Sequence, residues 1–357
     1  MFNDAMEGVS LQDLVRMTIP LCRAAEQACP RTGPGRHPEF EDWQIAVLII
    51  VATLKKRKSK SAQYRFLSSL RSYFQSRLSL PRWLSRSTYF DRFKRAHRIM
   101  DKAIELQGIK AIEEGVAAGV TVAVDKSMIK GRGPVWGPRD RKKGKIPAFM
   151  RGVDRECAWG YSKHHGWVHG YSYEVVVCAG KNDVIMPLLG SVDVASASEH
   201  RSFADKIDRL PATIRYVLAD GGYDNNKYGE RIEYDQHDRR TGRRYLCPLQ
   251  PRAHKSQPGA TERRGKRGRS LERRRQRHAF LTSPKGARLY ALRSLSVEPF
   301  NQWFKHLFDM EERVWHRGLD NNRVQLLAAL FAYQLLVRCN YKRGTANGQV
   351  QWVLDAL

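Results

Sequence analysis

Two apolar runs in this chain end in an acid, VAVD at Asp125 and VLAD at Asp220. Their β-branched and apolar content reads as two buried strands, Gly119–Asp125 and Ile214–Asp220. In an α/β sheet the strand ends are where ligands gather. A single aspartate there is ordinarily a helix cap or a turn residue. Two of them on neighbouring strands bring two carboxylates close together, and without a counterion one is pushed toward protonation. A divalent cation removes that conflict. Magnesium prefers hard carboxylate oxygens and completes its shell with water and substrate phosphate. A third acid, Glu298, stands in SLSVEPFNQWFK and is read as opening a helix, with Pro299 suited to the first turn. Asn301, Gln302 and Lys305 then share its helical face. The plainer role for Glu298, a first-turn acid favoured by the helix dipole, is compatible with a metal-binding one.

The elements that must position these acids come in two kinds. Residues 1 to about 105 read as helical: Gln12–Ala28, the apolar Glu41–Lys55, Ser61–Phe74, and a last helix from near Ser87 to Ile99. Arg31–His37 is a breaker with two glycines and a proline. A short helix, a turn and a Ser/Thr-capped basic helix suggest a helix-turn-helix, against the blander alternative of a helical bundle with solvated lysines. Beyond this the pattern changes. Tyr171–Ala179 and Val184–Val194 read as strands, Ser198–Leu210 as a helix and Arg244–Leu249 as a further strand. Helices follow from about Val297 to Met310 and from Asn321 to Asn340. The fold class is α/β, a mixed sheet flanked by helices and preceded by an all-helical region.

Charge narrows the partner. Sixty-three Lys and Arg against 36 Asp and Glu leave a net charge of +27 in 357 residues. Such self-repulsion points to a polyanion, either nucleic acid or an anionic membrane surface. The longest apolar stretches, Ala46–Leu54 and Val324–Val337, fall short of the ~20 residues a membrane span needs. Met1–Ser10 has no apolar signal core. The six cysteines never form a CxxC pair, which fits reduced thiols in a cytoplasmic protein. Arg263–Arg277 holds nine Lys or Arg, among them Arg263, Arg264, Lys266 and Arg267, with Glu272 as its only acid. A run of this kind is often disordered when free and neutralises phosphates when bound.

Other signals weigh less. Cys157 with His164, His165 and His169 lacks zinc-finger spacing. His200 reads as a surface residue near a helix start. Lys130–Lys145 (KGRGPVWGPRDRKKGK) lacks the GxxxxGK[ST] order of a P-loop and reads as a basic loop beside nucleic acid. Trp159, Trp167, Trp303 and Trp315 have the chemistry to stack on unpaired bases, although a single tryptophan is more often core.

AVDKS at Asp125, the DGGYD turn at Asp220 and the cluster Tyr290, Arg293, Glu298, Lys305 together resemble the insertion-sequence DDE transposases with an RNase H-like catalytic core. CAWGYSKHHGWVHGYSYEV also resembles that family's second-strand region. The step from Arg293 to Glu298 is one residue longer than in the family. The resemblance covers about 120–340. It implies DNA cleavage and strand transfer at the ends of an insertion sequence by two-metal-ion phosphoryl transfer. Asp125, Asp220 and Glu298 would hold two Mg²⁺ (or Mn²⁺) ions, and Tyr290, Arg293 and Lys305 would contact DNA. The partner implied is double-stranded DNA, as transposon ends and target, bound by a dimer near the nucleoid. An RNase H-like nuclease and a non-catalytic DNA-binding descendant are the alternatives. The organisation expected is a helical DNA-binding domain over 1–105, a catalytic domain over 106–345 with a basic insertion at about 225–289, and a tail over 346–357.

Overall fold

Apolar composition decides which helices lie inside. The computed structural model describes residues 10–30, 38–162, 166–179, 184–250, 266–344, 350–355 and 357. The helical N-terminal region comprises α1 (Leu11–Ala28), α2 (Asp42–Leu54), α3 (Lys60–Ser69), α4 (Arg71–Leu78), α5 (Arg86–Phe93) and α6 (His97–Glu113). Ser10 opens α1 with a capping box: its hydroxyl accepts from the Asp13 amide, and the Asp13 carboxylate accepts from the Ser10 amide. α2 is apolar all round, and every residue from Trp43 to Leu54 is buried. It packs against α1, α3, α5 and α6. The Ser61–Phe74 helix expected from sequence is divided by non-helical backbone at Leu70 (φ −112°, ψ 23°). The helix expected to end at Ile99 is two helices, and the second runs to Glu113. It continues because its buried face, including Ala103, Ile104, Gly108 and Ala111, keeps packing on a strand of the sheet. A β-carbon on Gly108 would lie 2.9 Å from the Leu188 backbone, so the close approach requires glycine there.

The sheet holds β1 (Thr121–Lys130), β2 (Ala158–Ser162), β3 (Gly166–Cys178), β4 (Pro187–Val194), β5 (Tyr216–Leu218) and β6 (Arg244–Leu246). The order is β2-β3-β1-β5-β6. β4 follows β2 along the outer edge of β3: β2 pairs with Gly166–Gly170 and β4 with Tyr171–Val177. The β1–β3, β2–β3 and β3–β4 pairs are antiparallel, whereas β1–β5 and β5–β6 are parallel. β2 is too short and glycine-broken to stand out in the sequence.

The remaining helices are α7 (Pro138–Lys142), α8 (Glu199–Ile207), α9 (Asn226–Glu233), α10 (Lys266–Thr282), α11 (Pro284–Leu307), α12 (Leu319–Lys342) and α13 (Val350–Asp355). In α12 every residue from Val324 to Asn340 is buried, and the helix packs against α6, β4 and α2. Its buried polar side chains find partners, with Gln334 Oε1 the exception among the described residues. Gln334 donates to the carbonyls of Ile104 and Pro187, and Arg338 forks onto Glu114. A mixed sheet flanked by helices and preceded by a helical region is the RNase H-like arrangement the sequence implied. Among the described residues no helix is long and apolar enough to cross a membrane.

Two expectations are corrected by α10 and α11. Glu298 does not open a helix. The start signal is Ser283, whose hydroxyl accepts from the Gly286 amide, followed by Pro284, and Glu298 and Pro299 lie in the helix interior. The basic run is helical from Lys266 onward rather than disordered. Its charge is met by acids remote in sequence: Arg273 pairs with Asp238, Arg274 with Asp224, and the buried Arg277 with Glu233. Arg263 and Arg264 lie outside the described residues, as do Arg31–His37, His164 and His165, and the side chains of Lys266, Arg267 and His200.

Candidate active site

Register brings the first two acids together. Along the parallel β1–β5 pair, Ala123 stands beside Leu218. Two residues further along both chains come Asp125 and Asp220, on the same face because strand side chains alternate. Asp125 is not at the end of its strand, as the sequence suggested. It lies mid-strand, at the point where burial ends. Residues 121–124 are buried and 125–128 only half-buried, while pairing with β3 carries β1 on to Lys130.

Asp220 caps the 3-10 turn Gly221–Tyr223, its Oδ1 accepting from the Gly222 amide at 2.8 Å. That turn is held from beneath. The Tyr223 hydroxyl donates to Glu174 at 2.9 Å, and the Tyr245 hydroxyl donates to the Tyr223 carbonyl at 2.9 Å. A β-carbon on Gly222 would lie 2.3 Å from Glu199 Oε2 and 2.9 Å from Asp220 Oδ1. Glycine is therefore what lets the Glu199 and Asp220 carboxylates close around this turn.

α11 supplies the opposing wall. Arg293 Nη2 donates to Asp125 Oδ1 at 2.6 Å and lies 3.7 Å from Asp220 Oδ2, so one cation spans both acids. Asn301 Nδ2 donates to Asp125 Oδ2 at 2.7 Å, and Asn301 Oδ1 accepts from the Tyr173 hydroxyl at 2.8 Å. Lys305 Nζ donates to the Met128 carbonyl at 3.1 Å. Tyr290 is half-buried on the same helix, and burial pushes its hydroxyl up to about 12. Glu298 is exposed. Among the described residues nothing binds it through a hydrogen bond or ion pair.

Burial is the main influence on the ionisable groups here. Burial pushes the Asp125 carboxyl up to about 6; Arg293 pulls it down and Asp220 raises it further. Glu199, on the far side of the turn, is raised by burial and then by Asp220. Lys126 and Lys305 are both lowered by burial. Arg293 Nε is buried and, among the described residues, has no acceptor. Among the described residues no three Asp, Glu, His or Cys side chains converge into a ready-made metal cage. His169 and Cys157 are buried and belong to no such group.

The family model of the transposase DDE domain matches residues 118–335. The chain belongs to this family. Comparison with curated proteins gave no match. In this transposase, sequence reasoning missed Glu199, which carries only the weak signal of a first-turn acid in SASEH beside His200. It also missed the Asp125 contacts of Arg293 and Asn301, which become visible only once α11 is known to be continuous from Pro284. Of the tryptophans, Trp315 is buried, Trp159 is half-buried with its indole donating to the Trp136 carbonyl, and Trp167 and Trp303 are exposed.

Proposed function

We propose that this transposase cleaves double-stranded DNA at the ends of an insertion sequence and joins the ends to a target by in-line phosphoryl transfer. The reading assigns two divalent ions, Mg²⁺ or Mn²⁺, to Asp125, Asp220 and Glu298. The observation that carries it is the placement of Asp125 on β1 and Asp220 just past the end of the adjacent parallel β5, bridged by Arg293 of the helix that also bears Glu298 and Lys305. The donor chemistry fits. Mg²⁺ is commonly held by one or two carboxylates together with substrate phosphates and waters, so an incomplete protein cage is what such a site needs. A bound ion would activate the attacking hydroxyl and stabilise the leaving oxygen.

The chain's own residues prepare the site. Arg293 offsets part of the charge of the two aspartates. Asn301, braced by Tyr173, fixes the rotamer of Asp125. Glu298 is the third acid in this proposal: it comes from the same side of the sheet as Arg293 and is unrestrained. Glu199 approaches from the opposite side and adds negative field next to Asp220. Tyr290 and Lys305 flank the phosphate. The helical region over 1–105 and the run at Arg263, Arg264, Lys266 and Arg267 grip the duplex backbone, consistent with the +27 charge. A dimer brings two ends together.

The test uses DNA bearing the inverted repeats that flank the gene, with Mg²⁺ added. Wild type is expected to nick and transfer these ends. Asp125→Ala is expected to bind them and leave them intact. Metal-dependent cleavage by the variant would overturn the assignment.

A further inference from the structure

The β2–β3 hairpin carries aromatic rings that the proposed reaction does not use. Tyr161 pairs with Trp167, and Trp159 with His169, on one face of the ladder. The inner rings lie 5.3 Å apart and are anchored: the Trp159 indole donates to the Trp136 carbonyl at 2.9 Å, and His169 is buried. The outer rings lie 5.4 Å apart at 66° and face solvent, with Tyr161 59% and Trp167 67% exposed. The other face of β2 is closed, because a β-carbon on Gly160 would lie 2.5 Å from the Ala195 carbonyl oxygen. Large exposed rings are costly in water unless something covers them.

Cations stand next to the inner pair of rings. The segment 135–145 bears Arg139, Arg141, Lys142, Lys143 and Lys145 against the single acid Asp140. It is stapled by the Trp136 indole, which donates to the Lys145 carbonyl at 2.9 Å. Arg141 and Lys142 of α7 line a shallow hollow together with Ala158 and Trp159 of β2. His169 Nε2 is buried in this same cluster without a hydrogen-bond partner among the described residues, and His169 is lowered by burial and by the charge of Arg141. Flat rings beside a cationic helix match the two needs of a single-stranded nucleotide, a stacking platform for the base and a counter-charge for its phosphate.

We propose that the Tyr161–Trp167 tip binds unstacked bases of a single-stranded DNA end while Arg141 and Lys142 hold the adjoining phosphates. This rests on the reading of the chain as a DNA-acting transposase and gives it a subsite for frayed or nicked ends. A protein partner is the other source of apolar cover, and the charge beside the rings favours the nucleotide.

The test measures binding of the full chain, without added metal, to a fluorescent blunt duplex and to the same duplex with a short single-stranded overhang. Wild type is expected to prefer the overhang. Trp167→Ala is expected to lose about tenfold on the overhang and nothing on the blunt duplex, and Tyr161→Ala less. Trp167→Phe should keep most of the preference, since it keeps a ring. Arg141→Ala with Lys142→Ala should weaken the overhang DNA more than the blunt duplex and flatten the salt dependence of overhang binding by roughly two phosphate contacts. Equal losses of Trp167→Ala on both DNAs, or no loss on either, would overturn the proposal. Asp125→Ala, which tests the reaction, is expected to retain the overhang preference, so the two readings fail separately.

Discussion

Two carboxylate–cation pairs sit on adjacent rungs of the β1–β3 ladder and point to opposite faces of the sheet. Glu174, opposite Lys126, pairs with Lys206 of α8 at 2.7 Å, with the two side chains 2% and 1% exposed. All its partners are in place: Glu174 also accepts from Ser202 and Tyr223, and Lys206 also donates to Ser191 and to the Ser202 carbonyl. Asp125, opposite Val175, pairs with Arg293 at 2.6 Å, but here the side chains are 17% and 15% exposed. Among the described residues one guanidinium nitrogen lacks an acceptor, and a second acid stands 3.7 Å away. A closed pair has no capacity left for a ligand and serves the fold. An open pair retains donors, charge and access to solvent, and that is what a reaction requires.

The contrast can be broken in several ways. The largest effect belongs to Asp125→Ala. It is expected to lower DNA cleavage at least about a thousandfold, the ~4 kcal/mol of charge stabilisation a metal site supplies, with little change in melting temperature. Lys206→Met should do the reverse. It strands Glu174 in the interior and is expected to cost on the order of 3–5 kcal/mol of stability, read by denaturant unfolding. If Asp125→Ala unfolds the protein as readily as Lys206→Met does, the distinction between open and closed pairs collapses.

Smaller effects sharpen the comparison. Arg293→Gln removes a competing cation, so Mn²⁺ binding without DNA, followed by calorimetry, is expected to tighten at least about fivefold, the ~1 kcal/mol such a charge is worth even in water. Glu298→Gln should weaken the same binding more than Glu199→Gln does; the opposite order would move the third ligand to α8. The last prediction concerns pH. His316 is buried and lowered to about 3, chiefly by burial. Its folded value lies below the unfolded one, so it stays neutral in the fold and charges more readily when unfolded. Its neutral burial is tolerated above the unfolded value of about pH 6.5, and stability is lost progressively as pH falls from there toward the folded value. His316→Phe is expected to flatten this acid limb in unfolding measured between those limits.

How much of this was legible follows from where the causes lie. VAVD and VLAD show the two acids because a buried strand writes itself locally, as an apolar run. The mixed sheet and the helical N-terminal region were readable for the same reason. The length of β1 was not, because beyond Asp125 it is kept in the sheet by β3 rather than by its own burial. The clamp of Arg293 and Asn301 was hidden by Pro299, which imitates a helix start, while the Ser283–Pro284 start lies further upstream. The ordering of α10 depends on Asp224, Glu233 and Asp238, which its own composition cannot reveal.

The burial of α12 also bears on how the chain is made. α2 is apolar on every side, and one of the surfaces that covers it belongs to α12, which leaves the ribosome long after it. At ~5–20 residues per second the wait is tens of seconds. A copy of the gene truncated before Leu319 would leave that surface bare. An uncovered apolar face of this kind makes a chain prone to aggregation and proteolysis.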